Sequence, residues 1–71
     1  MIYDKYREQN ITRLNLNDHI VEILQNNEIN KIKNVCSKSK SELKKIGFTP
    51  NEINNIEVEV ELLGLRLKNG L

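Results

Sequence analysis

Thr49-Pro50-Asn51-Glu52, then apolar residues at Ile53, Ile56, Val60 and Leu63, then Gly64, bracket one helix from both ends. A threonine three residues ahead of a glutamate is a capping box. Its hydroxyl takes an orphan amide of the first turn, and the carboxylate reaches back to the cap's own N–H. Pro50 suits the first helical position, where a missing N–H is harmless and a fixed φ is already helical. The apolar spacings of 3, 4 and 3 lay one continuous stripe along the helix. Gly64 then supplies the left-handed residue that closes it. The pattern predicts a helix over about 50–63 with one apolar face that must be covered by the rest of the chain.

What can cover it is limited by length. A chain of 71 residues builds one domain around one small core. The single cysteine, Cys36, allows no internal disulfide. It has no His or second Cys near it in sequence and reads as a small core filler rather than a reactive thiol. With no staple, packing alone must hold the fold, and short helices joined by tight turns do this at the least entropic cost.

The upstream pattern agrees. Asn17 is a good N-cap with Asp18 in the first turn, and Ile20, Val21, Ile23 and Leu24 give a stripe, so a first helix spans about 17–26 and ends at Asn26-Asn27. Ile29 reads as a buried anchor in the connection. Asn30 is the expected cap of a second helix with Ile32, Val35 and Cys36 inward, stopped by Ser37-Lys38-Ser39. Ser39-Lys40-Ser41-Glu42 is another capping box and opens a short third helix through Leu43 and Ile46, broken by Gly47. Phe48 reads as the plug of the turn that follows, and Leu65 and Leu67 as apolar weight folded back after the last helix. Residues 1–13, with Ile2, Tyr3, Tyr6 and Ile11, form an N-terminal arm or short helix, read as docked on the core; 14–67 is the helical domain, and 68–71, with Asn69-Gly70-Leu71, a frayed tail. No β-hairpin signal, internal repeat or low-complexity linker is present. The expected fold class is all-α: a compact bundle of four to five short helices.

Charge narrows the function. A formal net charge of +1 does not describe a strongly basic polyanion binder. Locally the balance is uneven. Lys31, Lys33, Lys38, Lys40, Lys44 and Lys45 face one acid, Glu42, for a local +5, and the interval 52–61 holds Glu52, Glu57, Glu59 and Glu61 with no base, a local −4. The plain reading is two solvated faces of opposite sign; the sharper one is a dipolar surface that steers a partner. His19 has no second His or Cys at ligand spacing, so no metal is expected. Three aromatics, Tyr3, Tyr6 and Phe48, are too few for a base-stacking platform. No nucleophile with its base, Gly-rich phosphate loop or Ca²⁺ loop is visible. Catalysis, a cofactor and a small-molecule substrate are therefore not expected. The start of the chain carries no signal-peptide pattern and no run is long enough to span a membrane, which predicts a cytoplasmic protein.

The order of these elements resembles a known family. Leu14-Asn15-Leu16, Ile23-Leu24, Ile29-Asn30-Lys31-Ile32, Ser41-Glu42-Leu43-Lys44-Lys45-Ile46, Ile53 through Ile56 and Leu62-Leu63-Gly64-Leu65-Arg66-Leu67 together look like the C-terminal domain of the bacterial RNA polymerase alpha subunit. The resemblance covers about residues 14–67, with one residue missing near Gly47. It implies a compact helical domain containing a helix–hairpin–helix. It also implies minor-groove DNA binding and contacts to RNA polymerase, sigma factor or transcription regulators. Length excludes a full alpha subunit, and Met1 with the arm points to a stand-alone small protein.

Carried over position by position, the family's DNA site changes character. His19 stands where the family has an arginine early in the first helix, and Glu22 where it has an asparagine one turn later. Thr49-Pro50-Asn51-Glu52 stands where a Gly-Lys/Arg-Lys-Ser run opens the last helix. Gly47 keeps part of the hairpin, but Thr49 replaces its usual second glycine. Affinity for DNA comes mainly from cations on phosphates, and arginine suits a narrow minor groove. A histidine with Asp18, Glu22 and Glu52 on the same face predicts weak DNA binding at best. Pro50 removes an amide and Glu52 competes for the others. The candidate contact positions implied by the resemblance are thus His19, Glu22, Gly47, Thr49 and Asn51, backed by the basic stretch from Lys31 to Lys45. The alternative is a domain that keeps the fold and binds protein alone.

Overall fold

The computed structural model describes residues 4–68. Ile2 and Tyr3 of the arm, and Asn69-Gly70-Leu71 of the tail, lie outside the described residues. Five short α-helices and one 3₁₀ turn follow in order: α1 (Asp4–Arg7), the 3₁₀ turn (Ile11–Arg13), α2 (Asp18–Asn26), α3 (Ile32–Cys36), α4 (Lys40–Ile46) and α5 (Pro50–Leu62). Among the described residues there is no β-strand, only an isolated antiparallel bridge between Asn10 and Lys31.

The apolar stripes read from the sequence converge. Ile20 and Leu24 of α2, Ile32, Val35 and Cys36 of α3, Leu43 of α4 and Ile53, Ile56 and Val60 of α5 are all buried in one cluster. Ile11 and Leu14 join it from the N-terminal side, and Ile29, Phe48 and Leu67 from the connections. Burial removes the Cys36 thiol from water and pushes its pKa up, against a small opposing effect of Arg7, so it behaves as a filler. Ser39 is the one buried polar residue described, and it is the cap of α4: its Oγ accepts the Glu42 N–H while the Glu42 carboxylate accepts the Ser39 N–H.

Three of the connections use the same device. A left-handed residue follows the helix, and the apolar residue after it donates its N–H to a carbonyl one turn back. Ile29 donates to Leu24 after Glu28, Phe48 to Leu43 after Gly47, and Leu65 to Val60 after Gly64. The φ angles are +61° at Glu28, +124° at Gly47 and +81° at Gly64. Ile29 and Phe48 are thereby driven into the core, and Leu65 is held half-buried against it. Each stop therefore also contributes an apolar contact.

Two boundaries differ from expectation. The cap of α3 is Lys31, not Asn30. The Asn30 carbonyl instead accepts the Ile11 N–H (2.9 Å), and the Ile32 N–H donates to Gln9 (2.9 Å), so the N-terminal segment holds residues 30–31 extended and delays the helix. The cap role passes inward to Asn34, whose Oδ1 accepts the Lys31 N–H at 3.2 Å. At the other end α5 stops at Leu62 rather than 63, because the Leu63 and Gly64 amides already donate in tighter turns to Val60 and Glu61. At the C-terminal edge of the described residues, the Lys68 N–H donates to the Lys38 carbonyl at 3.1 Å. At the N-terminal end, Tyr6 lies under two cations, Lys5 and Arg13, at 5.4 and 5.5 Å from the ring centre.

Candidate functional site

The first turn of α2 and the first turn of α5 meet at the surface. Asn17 fixes the first of these: its Oδ1 accepts the Ile20 N–H at 2.9 Å, which leaves Asp18 and His19 exposed on the opening turn. Thr49 fixes the second. Its Oγ1 accepts the Glu52 N–H (3.2 Å), and Glu52 Oε1 accepts the Thr49 N–H (2.9 Å). The other oxygen of the same carboxylate, Oε2, lies 2.9 Å from His19 Nδ1. One glutamate thus closes a capping box and joins two helix starts.

That double engagement sets the electrostatics. The Thr49 backbone N–H leads in holding the Glu52 carboxyl below the usual glutamate range; desolvation pushes the other way, and the His19 contact and the Thr49 hydroxyl add to the lowering. A fixed negative charge therefore sits at the N-terminus of α5, where the helix dipole favours it. It also occupies the place an incoming anion would use. Pro50 has no N–H, the Glu52 N–H is held by Thr49, and the Asn51 N–H is the amide of that turn left open. A phosphate would meet one amide and one carboxylate here.

The five positions carried over by the resemblance fall as follows. His19 and Thr49 are linked through Glu52, Asn51 sits on the same opening turn of α5, and all three are exposed. Glu22 is exposed one turn further along α2, and Gly47 is exposed at the end of α4, two residues before Thr49.

Three of the six lysines of the basic stretch have acidic partners. Lys31 and Lys33 straddle Glu8, with Nζ at 3.6 and 3.1 Å from its two oxygens, and this contact, led by Lys33, lowers the Glu8 pKa. Lys40 pairs with Glu57 at 3.2 Å across α4 and α5, and Lys38 is half-buried. Lys44 and Lys45 are exposed and make no ion pair among the described residues. Lys40 and Lys44 border an open groove between α4 and α5, with Ser41, Pro50, Ile53, Asn54 and Glu57 along the rest of it.

Sequence reasoning missed two long-range contacts and one exposed pair. Glu8 lies outside the basic interval, and nothing local announces that the turn after α1 will bring it to Lys31 and Lys33. Glu59 reaches across to accept the Asn15 N–H at 3.0 Å, a contact spanning 44 residues of chain. Val58 and Leu62 stay exposed on α5. The spacing could have located this last pair, because it places them away from the Ile53–Ile56–Val60 stripe. No group of three or more His, Cys, Asp or Glu side chains among the described residues could hold a metal, and no helix among them is long and apolar enough to cross a membrane. No protein-family model matches the chain, and no curated protein matches it.

Proposed function

We propose that the chain is a non-enzymatic, transcription-linked interaction domain of the RNA polymerase alpha C-terminal type, with α4, the Gly47–Phe48–Thr49 turn and α5 as its helix–hairpin–helix, working in the cytoplasm. The observation that carries this reading is the meeting of the α2 and α5 first turns through His19 and Glu52 at 2.9 Å. The resemblance assigns its DNA contacts to those same two turns, and a face assembled from distant segments is what such a contact requires. The partners on this reading are RNA polymerase, sigma factor or a transcription regulator, with DNA bound weakly. Neither a cofactor nor a small-molecule substrate enters it.

The low DNA affinity follows from charge. His19 is engaged by a carboxylate, Glu22 lies beside it, and Lys31, Lys33 and Lys40 each have an acidic neighbour. Lys44 and Lys45 remain to meet a phosphate backbone, and few phosphate contacts mean few released counterions. The second reading is a purely protein-binding domain. The seat of Glu52 favours it, because a carboxylate on the capping box repels the ligand a helix N-terminus otherwise attracts.

The deciding experiment is a titration of the isotope-labelled protein with an A·T-rich duplex at low salt, read by amide shifts. Shifts clustered at His19, Gly47 and Asn51 support the first reading. Silence there, with shifts on adding RNA polymerase or sigma factor, supports the second. Silence toward DNA and both proteins overturns the transcriptional assignment.

A further inference from the structure

The outward face of α5 is a second surface, and it is independent of the His19–Glu52 face. Ile53, Ile56 and Val60 turn α5 toward the core. At 100° per residue Val58 then points almost directly away from it, with Leu62 one turn on along the same side. They are the two large hydrophobics that remain exposed among the described residues, Val58 at 43% and Leu62 at 73%. The helical spacing sets Glu57 and Glu61 along one flank of this pair and Glu59 along the other. α5 carries no cation anywhere in its length.

The charges on these flanks are not equivalent. Glu57 has Lys40 at 3.2 Å and shares its charge with it. Glu59 accepts the Asn15 N–H, a neutral donor that leaves its charge intact. Glu61 is exposed and has no ion-pair partner among the described residues. An apolar i, i+4 pair edged by unneutralised glutamates selects for opposite charge, as flanking positions do in paired helices.

We infer that this face docks an amphipathic helix whose apolar ridge is flanked by lysine or arginine. A second copy of this chain is the poorer occupant for two reasons. Face-to-face pairing would set the same glutamates against each other, and the apolar part comprises two side chains, far less than the ~800 Å² per partner of a stable dimer. The docking is accordingly weak and salt-sensitive, suited to a transient contact.

The test uses the full, isotope-labelled chain and a synthetic helical peptide about 18 residues long, long enough for marginal helicity. The peptide carries leucines at i, i+4 spacing with lysines on both sides. A control peptide replaces every lysine with glutamate. The expected result is saturable amide shifts centred on Val58, Glu61 and Leu62 with the lysine peptide, weakened by salt, and none with the control. Leu62→Ser weakens binding about tenfold or more, the equivalent of losing one buried leucine. Circular dichroism checks that this exposed substitution leaves the fold intact. Glu61→Lys provides an independent readout, weakening the lysine peptide and improving the glutamate peptide. Equal binding of both peptides, shifts centred on His19, or a Glu61→Lys variant with unchanged preference would overturn the inference. Concentration-dependent shifts at Val58 and Leu62 without peptide would also overturn it, assigning the face to a second copy.

Discussion

Ile56→Ala measures how much of this domain depends on α5. Ile56 is fully buried near the middle of that helix, and its side chain belongs to the central cluster. Truncation to alanine removes three carbons, and at ~0.8 kcal/mol per buried CH₂ the transfer loss alone is ~2.4 kcal/mol. The surrounding helices close incompletely over the space left behind. The cavity raises the loss to ~3–4 kcal/mol, within the ~2–5 kcal/mol seen for such truncations. Alanine is the better helix former and returns a few tenths of that. A domain of this size has roughly 4–10 kcal/mol in total, so the variant sits close to the edge of folding. Its melting temperature should fall by about 10–30 °C, taking ~4–8 °C per kcal/mol for a short domain. The assay is thermal and urea unfolding followed by circular dichroism. Val58→Ala is the control: same helix and same gain in propensity, but 43% exposed in place, with an expected change within ~0.5 kcal/mol. The difference between the two variants isolates burial from propensity. Equal melting curves for Ile56→Ala and Val58→Ala would refute the placement of the α5 stripe against the core.

His19→Arg combined with Glu22→Asn should raise affinity for an A·T-rich duplex and steepen its salt dependence, since a cation is added and an acid removed on one face. An unchanged isotherm would show that the charge pattern is not what limits DNA binding there. Stability should decline at acid pH: Glu52, Glu42 and Glu8 all have folded pKa values below their ordinary range, so the unfolded chain binds more protons. Their contribution is complete above the ordinary glutamate range and is lost as pH falls through the depressed values; a urea midpoint flat from about pH 7 to about pH 3 would contradict this. Glu28→Gly should stabilise the domain by ~0.5–1 kcal/mol, because Glu28 holds φ +61° at the end of α2, where a side chain is strained. A loss of stability would mean that its side chain makes a compensating contact.

The connections explain which parts of the fold were legible in the sequence. Gly47 and Gly64 announce their stops, because glycine is the residue that adopts a left-handed conformation freely. The third stop of the same kind carries glutamate, so composition hides it, though Asn26-Asn27 marks its neighbourhood and Ile29 its apolar anchor. The capping boxes at Ser39–Glu42 and Thr49–Glu52 were readable because both partners lie within one turn. The start of α3 was not, because its extended residues are held by Gln9 and Ile11, more than 18 positions away. The same distinction runs through the candidate site. That Glu52 would cap its own helix is local information. That its second oxygen would reach His19, 33 residues away, depends on how α2 packs against α5.

Folding also changes what the charges can do. Read in sequence, 31–45 is a basic block and 52–61 an acidic one. In space Glu8 comes from outside the basic block to Lys31 and Lys33, while Lys40 and Glu57 meet across the two blocks. The lysines of these pairs are 43–63% exposed, and the pairs add little to stability. Their larger consequence is on the field. They neutralise the flanks of both blocks and leave two smaller centres: the Lys44–Lys45 pair at the end of α4, and the edges of the exposed Val58–Leu62 ridge. Removing Glu8 would unmask Lys31 and Lys33 without touching the core. The proposed DNA face and the proposed α5 docking face are thus separable by mutation, because the first carries carboxylates at the helix starts and the second carboxylates along α5.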